Sequence, residues 1–145
     1  MNTKISQRLD EIEAINQRYG ESIYAPCSSK DIAFFTDWIS QHLPIDECKL
    51  REYIDFSSVA NAFNFNGLFI YGIIKEDNHN VFDMNEIWWD NEQQRNYLFF
   101  GHDDLSWYCV DTLTGSYCIL DKPSGSIEEI YATFDEMLEQ VLSDN

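Results

Sequence analysis

Few residues of this sequence could carry chemistry, and their spacing suits it poorly. His102-Asp103-Asp104 places an imidazole beside two carboxylates, the side chains of a metal centre or a general base. Sequential neighbours rarely converge on one ion, and His42 and His79 stand at no matching spacing. The triplet therefore reads as a solvated turn between strands. Cys109 with His102 is the one pair that could act as nucleophile and base. No nucleophile elbow or catalytic-cysteine signature surrounds it, and Cys109 lies in an apolar run where a core thiol is expected. The four cysteines, Cys27, Cys48, Cys109 and Cys118, form no CxxC and lie outside metal-ligand spacing of any histidine. The six glycines form no Gly-x-Gly cluster to cradle phosphate. Carboxylate pairs for glycoside hydrolysis can be picked anywhere in so acidic a chain, so they discriminate nothing. The expectation is no catalytic residue, no metal ligand and no cofactor.

Charge is more informative. Twenty-six acidic residues against nine basic ones give a formal −17, which argues against direct nucleic-acid or anionic-membrane binding. Residues 1–72 carry ten acids and six bases, whereas residues 73–145 carry sixteen acids and three bases. Glu76, Asp77, Asp83, Glu86, Asp90, Glu92, Asp103 and Asp104 face a single base, Arg95, between positions 76 and 104. Trp88 and Trp89 sit inside this stretch and Trp107 follows it. Carboxylates pair with Lys and Arg of a basic partner, and tryptophans supply desolvated anchors. The candidate partner-binding residues are Asp83, Glu86, Trp88, Trp89, Asp90, Asp103, Asp104 and Trp107. The competing reading is a solvated loop whose tryptophans cover the sheet, with the charge serving solubility.

The elements that must position these residues read as α+β in a single domain spanning residues 1–145. Ile5, Leu9, Ile12, Ile15 and Tyr19 share one helical face, capped by Thr3 or Asn2 and stopped by Gly20. Ser28 with Asp31 forms a capping box for a second helix, whose apolar face is Phe34, Phe35, Trp38, Ile39 and His42-Leu43. Pro44 breaks that helix and opens a third near Ile45, with Leu50, Tyr53 and Ile54 facing the core. Phe63 to Ile74 reads as two strands, or one interrupted at Asn66-Gly67. Residues 75–96 read as a long polar excursion with one helical turn. Strands follow at Tyr97–Gly101 and Trp107–Asp111, and the Thr112–Gly115 hairpin returns through Tyr117–Leu120. Pairing Asp111 with Ser116 sets Cys109 opposite Cys118. Ile127–Tyr131 is a short edge strand, and Thr133 with Glu136 forms a capping box before a final helix with Met137, Leu138, Val141 and Leu142 inward. The sheet is expected to be antiparallel, with about five to six strands. Asn66-Gly67, Gly101 and Gly115 are expected to serve backbone geometry rather than ligand contact.

Taken in order, Leu43-Pro44, Asn61 to Gly72, Tyr97 to Gly101, Trp107-Tyr108, the Asp111–Gly115 hairpin and Thr133 to Leu138 resemble the SUKH superfamily, especially its YrhA-like bacterial branch. The likeness covers roughly residues 40–142. Ala62 departs from it, standing where an Asn-Gly pair would place glycine. The resemblance implies an α+β fold without chemistry of its own. It implies an immunity protein of a polymorphic-toxin or contact-dependent inhibition system, binding a cognate toxin domain, often a nuclease. Other members resemble regulatory scaffolds, so a scaffold using the same acidic surface stands as the alternative. The longest apolar run, Leu68 to Ile74, is too short for a membrane span of about 20 residues. The N-terminus lacks an apolar signal core, so a cytoplasmic location with reduced thiols is expected, as a monomer or weak homodimer.

Overall fold

The computed structural model describes residues 1–145. Its elements are helices α1 (Thr3–Gln17), α2 (Ser29–His42), α3 (Arg51–Ala60), α4 (Val81–Trp88) and α5 (Phe134–Asp144), and strands β1 (Asn64–Phe65), β2 (Leu68–Ile70), β3 (Tyr97–His102), β4 (Ser106–Asp111), β5 (Tyr117–Asp121) and β6 (Ile127–Tyr131). The strands form one antiparallel sheet in chain order, β1 to β6. The fold is α+β, with α5 packed beside the sheet. No helix is long and apolar enough to cross a membrane.

Local chemistry sets the helix boundaries. Asn2 caps α1 by accepting the Ile5 N–H at 3.0 Å, and Ser28 with Asp31 closes the reciprocal box on α2. At the start of α5 the box is one-sided: Thr133 accepts the Glu136 N–H at 3.2 Å, while the Glu136 carboxylate reaches one residue further back to the Ala132 N–H at 3.3 Å. The α1 stripe is shorter than its periodicity promises: Ile5, Leu9 and Ile12 are buried, but the helix ends at Gln17 and Tyr19 is exposed. On α2, Phe35, Trp38 and Ile39 point inward, whereas Phe34 lies on the solvent side, its ring edge-on to Phe82.

Register explains which side chains share a face. Asn66 and Gly67 both take positive φ, the geometry of a tight hairpin turn, so the apolar run divides into β1 and β2. β3 bulges between Phe99 and Gly101. Gly101 lies so close to β2 that a Cβ would stand 2.2 Å from the Phe69 carbonyl oxygen, so only glycine fits there. Asp111 N–H donates to the Ser116 carbonyl at 2.8 Å, and Cys109 pairs with Cys118 as the hairpin spacing requires. All four cysteines are free thiols.

One sheet face packs against α3 and α5. Phe100 lies 4.6 Å from Tyr53 and 5.3 Å from Phe134, ring centre to ring centre, and Tyr117 stacks on Phe100. The other face, carrying Phe99, Trp107, Cys109, Cys118 and Leu120, lies under α4 and the segment that follows it.

Candidate interaction surface

The excursion between β2 and β3 is more ordered than one helical turn: α4 makes two turns, and a short 3-10 turn follows at Glu92–Gln94. Polarity hides the helix in the sequence, because its inward residues include an asparagine. Asn80 caps it, accepting the Asp83 N–H at 2.8 Å and donating to the Lys75 and Asp77 carbonyls and the Asp83 carboxylate. Lys75 reaches the same carboxylate at 2.5 Å. These two partners hold the Asp83 carboxyl below its ordinary pKa, Lys75 being the stronger influence.

Inward, α4 seals the part of β3 that β2 leaves unpaired. The fully buried Asn85 amide donates to the Phe99 carbonyl at 2.9 Å and accepts the Phe99 N–H at 2.8 Å. Trp89 Nε1 donates to the Tyr97 carbonyl at 2.7 Å. Side chains of a helix thus stand in for a strand along an edge that would otherwise leave backbone groups bare.

The tryptophans are cover for the sheet before they are contact surface. Trp88 is half-buried, its ring 5.4 Å from that of Trp107, with Lys122 Nζ 5.9 Å from its ring centre. Trp107 is buried, so its ring is not presented to solvent, and its indole N–H has no protein partner. Trp89 is half-buried and stacks on Trp38 at 5.5 Å with planes 10° apart. Its ring helps line a cavity of about 370 Å³ with His42, Leu43, Glu86, Asp90 and Arg95. Arg95 Nε donates to the Trp89 carbonyl at 3.0 Å.

Outward, Asp83 and Glu86 of α4 and Asp90 of the turn that continues it are exposed on one side, and Ile87 among them is 57 % exposed. The spacing 83, 86, 87, 90 is one helical face, so three carboxylates surround an aliphatic side chain. Sequence reasoning singled out the carboxylates and missed Ile87. The signal was present in the periodicity: 82, 85 and 89 point inward, which sends 83, 86, 87 and 90 out.

Asp103 and Asp104 divide. Asp103 is half-buried and serves the β3–β4 turn: its carboxylate accepts the Leu105 and Ser106 N–H groups at 2.9 and 2.8 Å and the Tyr108 hydroxyl. Asp104 is exposed. They are not on the α4 helix, so the eight candidates fall into an outward acidic face (Asp83, Glu86, Asp90), an exposed turn residue (Asp104) and structural residues (Trp88, Asp103, Trp107), with Trp89 between them at the cavity.

His102 belongs to a hydrogen-bonded chain rather than to a carboxylate cluster. Trp88 Nε1 donates to the Tyr71 hydroxyl at 3.0 Å, which leaves the Tyr71 proton for His102 Nδ1 at 2.6 Å. Burial, helped by nearby Lys122 and His79, pulls the His102 pKa down to about 4, so the ring is neutral at pH 7 and accepts at Nδ1. Phe69 stacks on His79 at 4.4 Å and lies 5.3 Å from His102. Cys109 is fully buried and its thiol pKa is pushed well above the usual range by that burial, the setting of an inert core thiol.

Only two ion pairs occur, Arg8–Glu11 and Lys75–Asp83, so most of the 26 acidic side chains have no basic neighbour. Of the three bases beyond residue 72, Arg95 and Lys122 direct nitrogens to backbone carbonyls. On the α4 side Lys75 pairs with Asp83 and Arg95 stands near Glu86 and Asp90, which leaves the negative field there only partly compensated from within the chain. No protein-family model matches the sequence, and no curated protein matches it.

Proposed function

We propose that the protein is an immunity protein that binds a cognate bacterial toxin domain, in the cytoplasm of the cell that makes both, stoichiometrically and without turnover. The observation that carries this reading is the outward face at α4: Asp83, Glu86 and Asp90 around exposed Ile87, where Asp83 pairs with Lys75 and neither Glu86 nor Asp90 has an ion-pair partner. Such a face complements a basic surface. Charge steers the encounter, and the aliphatic centre with the Trp89 cavity beside it supplies area to desolvate. A nuclease fits as target because its substrate cleft must be basic to hold phosphates. The resemblance to the SUKH superfamily points the same way.

Co-purification tests the reading. Tagged protein expressed in the source strain is recovered and its partners are identified by mass spectrometry. The expected result is stoichiometric recovery of a toxin C-terminal domain, and co-expression of that domain is then lethal without this protein and tolerated with it. Recovery of a housekeeping partner alone, or a toxin domain equally lethal in its presence, would contradict the proposal.

A further inference from the structure

The sheet ends at β6, and no strand pairs with its outer edge. Four of its five residues are exposed, unlike β3, β4 and β5, whose central residues are all buried. Ile130 pairs with Cys118 and Ile127 with Leu120; these partners are two residues apart on β5, so both isoleucines lie on one face. Ile127 is 49 % and Ile130 62 % exposed. Glu128 sits at the irregularity between the Ile119 and Leu120 pairings, and Glu129 pairs with Ile119 on the opposite face, where its carboxylate accepts the Tyr131 hydroxyl. Neither glutamate has a basic partner.

An open edge is a template for one more strand, since alternate N–H and C=O groups point away from β5. Its charge decides what that strand is. Two copies meeting antiparallel about Glu129 would set that carboxylate against itself, between molecules that each carry a formal −17. With Glu128 bulged out of register, a strand carrying lysine or arginine opposite Glu129 and aliphatic residues on either side of it would instead pair with that carboxylate and lay its aliphatic residues over Ile130 and Ile127.

We propose that the β6 edge is a docking site for an extended segment of another protein that alternates basic and aliphatic residues, extending the sheet by one strand. This site is separate from the α4 face and stands or falls independently of the immunity reading.

The test uses the full chain and three peptide probes: one alternating lysine and valine, one alternating glutamate and valine, and the lysine peptide N-methylated along one edge. Amide exchange followed by NMR reads where each binds. The lysine peptide is expected to protect amides of residues 127–131 and to bind about tenfold more tightly than the glutamate peptide, the size of a favourable against an unfavourable cross-strand pair at Glu129 with the Glu128 charge beside it. The methylated peptide, lacking one row of donors, is expected to lose that protection. Glu128→Lys with Glu129→Lys, both exposed, is expected to reverse the preference. Protection confined to α4, an unchanged preference in the double variant, equal binding of the methylated peptide, or a concentration-dependent dimer formed through β6 would each overturn the proposal.

Discussion

On one face of the sheet, Phe100 and Tyr117 meet Tyr53 of α3 and Phe134 of α5 ring against ring. On the other, Phe99 and Trp107 meet α4 through an asparagine, two indoles and a tyrosine–histidine hydrogen bond. The first face is secured by dispersion and apolar burial, which need shape but few specific atoms. The second is secured by hydrogen bonds whose loss leaves buried groups bare, and its outer side is the acidic surface. The difference teaches where function has room. The helices over the aromatic face hold the core together, whereas α4 uses its inner side to complete β3 and leaves an outer side free for a partner.

The comparison can be broken most forcefully at Phe100, which is fully buried on the aromatic face. Phe100→Ala removes the ring that Tyr53, Tyr117 and Phe134 surround and is expected to cost about 3–5 kcal/mol of unfolding free energy. Chemical denaturation measures it. On the other face, Asn85→Ala leaves the Phe99 N–H and carbonyl without their partners and is expected to cost about 2–3 kcal/mol. Its loss should come with faster amide exchange at residues 97–99, whereas Phe100→Ala should loosen the whole sheet. If Asn85→Ala costs less than about 0.5 kcal/mol, the scale of an ordinary surface substitution, α4 does not seal the β3 edge.

A pH series sharpens the contrast further. His102 is neutral in the folded protein because its pKa is lowered to about 4, while in the unfolded chain it titrates near its ordinary value of 6.5. The sign follows from linkage. Above 6.5 the ring is neutral in both states; as pH falls from 6.5 towards 4 the unfolded chain takes up the proton first, so stability declines across that window. His102→Gln is expected to flatten that part of the profile, measured as the difference in unfolding free energy between variant and parent at each pH. An identical slope in both would remove His102 from the account.

The smallest expected effect is a gain. Ala62 takes φ +55, the left-handed region that disfavours a Cβ. Ala62→Gly is expected to stabilise by about 1 kcal/mol, the strain relieved less the added chain entropy of glycine. Denaturation midpoints report it.

Much of this architecture was legible because local chemistry agrees with the final packing. The Ser28–Asp31 box, the Asp111–Ser116 hairpin with Cys109 opposite Cys118, and the Thr133 cap all appear where their spacing puts them. The misreadings occur where tertiary context overrides a pattern. Tyr19 continues the α1 stripe, yet the helix stops before it; Phe34 fits the apolar face of α2, yet finds its neighbour from the solvent side. At the candidate surface, the acids at 83, 86 and 90 were legible as charge. That Asp103 ties a turn and that Trp107 is interior depended on the register of β3 and β4, which composition does not encode, whereas the outward place of Ile87 followed from helical spacing once α4 was recognised as a helix.

The measurement that bears most directly on the central claim is calorimetric titration of the co-purified partner into the parent protein and into a Glu86→Gln/Ile87→Ala/Asp90→Asn variant. All three residues are exposed, so the variant is expected to unfold within about 0.5 kcal/mol of the parent. If the outer face of α4 is the interaction surface, affinity falls at least tenfold and the salt dependence of binding weakens. An affinity unchanged in the variant, with its salt dependence intact, would contradict the claim and place the partner elsewhere on the molecule.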